Sequence, residues 1–153
     1  MKHWIACLSL LTLLLATACD TVNHSQLQIR PPEGKEKTFL TVPVAERDTV
    51  RMVLEKIAKE WYFEDRTKIS LVPDTLCSFA QPDAKQPLGM RAWVLKGSVV
   101  IDITQKPTEA AGESSAYRRL RDRITEDLAK SFGDRVGLVH QMRQAESKVE
   151  HAK

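Results

Sequence analysis

Residues 91–105 read RAWVLKGSVVIDITQ, and this stretch decides the fold class. Ala92-Trp93-Val94-Leu95 and Val99-Val100-Ile101-Asp102-Ile103 are runs of β-branched, aromatic and aliphatic residues, which suit a pleated, half-buried surface. Lys96-Gly97 between them can turn the chain back into a hairpin. The alternative is a single long strand with a bulge at Gly97. A period of two sets Asp102 opposite Ile101 and Ile103, so it is expected to face solvent or a neighbouring polar group. As a catalytic acid it would need a partner carboxylate or histidine, and the sequence identifies none.

Two helices flank this hairpin in the sequence. Val50, Val53, Leu54, Ile57, Ala58 and Trp61 trace one helical face, with Asp48 as a candidate cap. Tyr117, Leu120, Ile124, Leu128 and Phe132 trace a second, opened by Ser114 or Ser115 and closed by Gly133. Arg118–Asp122, Arg123–Asp127 and Glu126–Lys130 are opposite charges four apart. The arginines of this helix could suggest an anionic partner, but the interleaved acids read as a solvated face. Further strands are expected at Thr38-Phe39-Leu40-Thr41-Val42, stopped by Pro43, at Ile69–Val72, at Leu76–Ala80 and at Arg135–His140. The order strand, helix, strands, helix, strand predicts an α+β fold: one small domain with two amphipathic helices packed on one face of a mainly antiparallel sheet. A split βαβ arrangement is one candidate topology.

The expected domain runs over residues 38–140, with a polar tail at 141–153 and a flexible tether before it. The segment 19–37, Cys19 and the tether after it, is polar and holds Pro31-Pro32 and Gly34; the eighteen residues Asp20–Lys37 reach roughly 23 Å as a coil. His24 within it reads as a solvated linker residue, and His140 as structural.

The chain opens with Lys2, an apolar run from Trp4 to Leu15, and the small residues Ala16-Thr17-Ala18 before Cys19. This is the layout of a secretory signal over residues 1–18, with an apolar run too short to span a bilayer. Leu15-Ala16-Thr17-Ala18-Cys19 resembles the lipobox of bacterial lipoproteins, although the commonest pattern has Leu where Ala16 stands. The resemblance implies that Cys19 becomes the mature N-terminus and carries the lipid. The protein is then anchored in a cell membrane, facing the periplasm or the cell exterior. Asp20 looks like the residue that keeps enteric lipoproteins in the inner membrane, and favours it. Cleavage by the general signal peptidase is the alternative.

Removal of residues 1–18 leaves 135 residues, enough for one domain. With Lys2 gone, 22 basic residues face 20 acidic ones, a balance without the field that attracts nucleic acid. Cys77 is left without a disulfide partner and, with no basic neighbour in sequence, reads as buried and inert. No Gly-rich phosphate loop, HExxH, paired CxxC or GxSxG elbow occurs, so no cofactor, metal or catalytic residue is assigned. The expected function is a non-catalytic binding or assembly module of the cell envelope with an envelope protein as partner. The alternative is a small envelope hydrolase around Cys77, Asp102 or His140. On a helical wheel Met52 and Phe63 fall opposite the core stripe, beside Lys56 and Lys59, as a candidate partner-binding patch. The competing reading ends the helix before Phe63 and tucks that ring under the next loop.

Overall fold

The computed structural model describes residues 23–34, 42–82, 87–106 and 112–142. Among the described residues the fold is α+β, with two α-helices and a six-stranded antiparallel sheet. The strands are β1 (Asn23–Ile29), β2 (Glu64–Asp65), β3 (Thr75–Ala80), β4 (Leu88–Leu95), β5 (Ser98–Gln105) and β6 (Val136–Met142). They lie in the order β2-β3-β4-β5-β1-β6. Helix α1 (Val44–Glu60) follows β1, and α2 (Ser115–Phe132) joins β5 to β6. Both β5 and β6 run antiparallel to β1, which lies between them.

The hairpin at the centre forms as a hairpin and not as a bulged strand. Lys96 and Gly97 have φ of 48° and 77°, and Leu95 pairs with Ser98 across them. Two successive positive φ values make a type I′ turn, whose twist matches that of the flanking strands. Alternation then sorts the strand residues. Leu27, Ile29, Met90, Ala92, Val99, Ile101 and Ile103 join one buried cluster with Val50, Leu54 and Ile57 of α1 and Tyr117, Leu120, Ile124 and Leu128 of α2.

Helix α2 follows its sequence signals. Ser114 Oγ accepts the Tyr117 N–H at 3.0 Å, and Gly133, at φ +55°, donates its N–H to Ala129 O. Arg123 lies 2.9 Å from Asp127, but Lys130 also bonds Asp127 and Asp122 is held by Arg121. Helix α1 begins earlier than Asp48. Glu46 and Arg47 donate their N–H groups to Pro43 O, because proline presets the entry φ and nothing from Val44 to Arg47 opposes a helical turn.

Three expectations need correction. The tether over residues 19–37 is the largest: Asn23–Ile29 is not a coil but β1, paired on both sides, so the domain begins well before Thr38. Its physical basis is an alternation, Ser25, Leu27 and Ile29 inward against His24, Gln26 and Gln28, carried by only two apolar residues. At the other end β6 runs to Met142, into the stretch assigned to the polar tail. The expected strand Ile69–Val72 is instead a 3-10 turn at Thr67–Ile69 followed by an exposed loop, because Pro73 and the positive φ of Asp74 turn the chain there. Of the expected strand Thr38–Val42, residues 38–41 lie outside the described residues, and Val42 is buried without strand pairing. Residues 1–18 and Cys19 lie outside the described residues as well.

Candidate functional site

The alternate strand positions, those not in the core cluster, carry the chemistry. Register aligns Ser78, Arg91, Asp102, Gln26 and His140 as one row across β3, β4, β5, β1 and β6. The next row places Gly89, Thr104 and His24 side by side. Trp93, Val100 and Gln28 form the row on the other side.

Asp102 is the centre of this arrangement. Its Oδ1 accepts from His24 Nε2 at 2.8 Å and Gln26 Nε2 at 3.1 Å. Its Oδ2 accepts from Arg91 Nη2 at 3.1 Å. Asp102 is only 7 % exposed, and a buried carboxylate is tolerable only when paired and hydrogen-bonded. Three donors from two neighbouring strands meet that need. A carboxylate only accepts, so His24 carries a hydrogen on Nε2. The Arg91 guanidinium also lies over the Trp93 ring, 5.2 Å from its centroid, which fixes its plane.

No model of a protein family matches the chain, and no curated protein matches it. The site is therefore judged on its own geometry. It offers a set of half-buried polar groups, His24, Gln26, Arg91 and Thr104, beside the Trp93 ring. Among the described residues no group of three or more His, Cys, Asp or Glu could hold a metal ion.

The sequence-predicted residues fall in different places. Asp102 has the histidine partner that the sequence did not reveal: His24, expected to be solvated in a tether, lies on β1 beside it. Cys77 sits in the core cluster, on the set of positions opposite to Asp102. Burial pushes its thiol up to about 12, so it stays protonated and is a poor nucleophile at neutral pH. His140 stands one strand from Asp102 in the same row, across Gln26.

Met52 and Phe63 do not share a helical face. Helix α1 ends at Glu60; Phe63 lies three residues on, donates its N–H to Ala58 O, and packs against the core. Met52 is 62 % exposed on the helix and stands apart. The expected patch is corrected on that ground: the wheel was continued past the point where the chain leaves it. Asp102 was visible as an odd acid in an apolar run. His24, Gln26 and Arg91 were missed, and the only signal for the first two was the faint alternation of residues 25, 27 and 29.

Proposed function

We propose that this chain is a lipid-anchored cell-envelope protein that acts as a binding or assembly module. Residues 1–18 are its signal, Cys19 carries the lipid, and the folded domain faces the periplasm or cell exterior at the inner membrane that Asp20 favours. In this reading both helices pack on one face of the sheet, a split βαβ unit is built from β5, α2 and β6 around β1, and the other face meets an envelope protein partner.

The observation that supports the binding face is the threefold acceptance at Asp102, which holds a polar surface rigid at 2.8–3.1 Å. Rigid, pre-ordered polar groups lower the cost of ordering an interface. The hydrolase alternative gains the His24–Asp102 contact at 2.8 Å, but Cys77 occupies the opposite set of strand positions and cannot act with it.

Site-specific photocrosslinkers in intact cells test this reading. Probes at Gln28 and Ser78, on the outward rows, should give one discrete adduct, and a probe at Lys59 on α1 should give none. Adducts only from Lys59 would reverse the assignment of the binding face. Metabolic labelling with a clickable palmitate analogue tests the anchor: the wild type should be marked and Cys19→Ser should not.

A further inference from the structure

The sheet begins much nearer the anchor position than a long tether implies. Four peptide steps separate Cys19 from Asn23, a span of at most about 14 Å when fully extended. Asn23 opens β1, pairs with Gln105 at the end of β5, and donates its side-chain amide to Gly112 O at 2.8 Å. Ser114, which caps α2, donates its backbone N–H to Gln105 Oε1 at 3.1 Å. The start of β1, the end of β5 and the first turn of α2 therefore make up one end of the domain. A chain held at Cys19 can bring only this end against a bilayer.

Three basic side chains are exposed at this end. Lys106 directly follows β5, Arg118 and Arg119 lie at the start of α2, and all three are exposed. None of them has an ion pair among the described residues. The acids of the same region, Glu113 and Asp122, both lie on Arg121, at 3.6 Å and 3.2 Å. Helical side chains lean toward the helix N-terminus, which tips both arginines toward the anchor end. The partial positive charge of the helix start adds to theirs. Asp20 in the linker and Glu109, between Lys106 and Gly112 in the sequence, supply opposing charges.

We propose that this end of the domain, through Lys106, Arg118 and Arg119, docks on an anionic phospholipid surface. The proposal rests on the acylation of Cys19, since the short linker is what holds the three cations at the headgroups. The attraction fades within a Debye length of about 10 Å, so a tether of roughly 23 Å would leave much of it unused. A linker whose full extension is at most about 14 Å holds this end nearer the headgroups than such a tether would. Each basic side chain at an anionic surface shifts the balance between docked and lifted states roughly fivefold, and three together about a hundredfold.

The acylated full-length protein, reconstituted in vesicles with a trace of dansyl-labelled lipid, provides the test. Energy transfer from the native tryptophans reads the height of the domain above the bilayer. Transfer should be higher on vesicles of phosphatidylcholine with phosphatidylglycerol than on phosphatidylcholine alone, and high salt should abolish the difference. The triple variant K106Q/R118Q/R119Q should show the low value on both, with an unchanged thermal midpoint. Equal transfer from the wild type on the two vesicle types, or a variant that behaves as the wild type, overturns the docking. Intact mass reports the anchor separately: a chain without the diacylglyceryl increment overturns the anchor and the docking with it.

Discussion

Tyr117 on α2 donates its hydroxyl hydrogen to Ser25 Oγ on β1 at 2.6 Å, across 92 residues of chain, with both side chains fully buried. The same hydroxyl lies 3.3 Å from Ile103 O on β5. One phenol thus joins the second helix to two central strands, and its backbone N–H is the one that Ser114 caps. A stretch that reads as a polar tether is held here inside the sheet, between β5 and β6.

Tyr117→Phe should destabilise the domain by about 1–3 kcal/mol, because it leaves the Ser25 hydroxyl buried with one partner fewer. Ser25→Ala in the same background should restore part of the loss by removing the orphaned group. Urea unfolding of the two single variants and the double variant measures this. Strictly additive losses would show that the two hydroxyls do not depend on each other.

A chain beginning at Asp20 should fold, and one beginning at Thr38 should not. The longer chain keeps β1, which pairs with β5 on one side and β6 on the other. The shorter one opens a gap in the sheet, exposing the edges of both strands and removing Leu27 and Ile29 from the core. Circular dichroism and a cooperative thermal transition distinguish the two. A cooperative transition in the Thr38 chain would return β1 to the status of a tether.

Stability should fall at alkaline pH, and Cys77 should carry the first part of the fall. Burial raises its thiol from 9.0 in the reference state to about 12 in the folded chain. The folded state thus favours the protonated thiol. That contribution is complete below 9.0 and is lost as pH rises through the folded value near 12. Tyr117, also raised by burial, adds to the loss above 10.0. Cys77→Ala should lower stability by a constant amount near neutrality while flattening the slope above 9.0. A slope unchanged by the substitution would rule the thiol out as its source.

Asp102→Asn should cost about 1–3 kcal/mol, since the amide sets a donor against one of the three donors now aimed at the carboxylate. A double-mutant cycle with His24→Ala should give a coupling of about 0.5–3 kcal/mol, the range for residues in direct contact. Zero coupling would mean that the His24–Asp102 bond adds nothing to the stability of the fold.

Features with local causes are legible in the sequence. Gly97 between two apolar runs marks a reversal or a bulge in the sequence, and the positive φ of Lys96 and Gly97 with the Leu95–Ser98 pair selects the hairpin. Ser114, Gly133 and the spacing of Tyr117, Leu120, Ile124 and Leu128 are enough to specify α2, since cap and stripe lie within one segment. The place of β1 and the setting of Asp102 depend instead on contacts between distant segments. Residues 23–29 hold two aliphatic side chains among polar ones, too few to distinguish a strand from a linker. They become a strand because β5 and β6, 70 and more residues away, offer open edges on both sides. Asp102 meets His24 for the same reason. The pair is produced by a register between distant segments, and no local period can encode it.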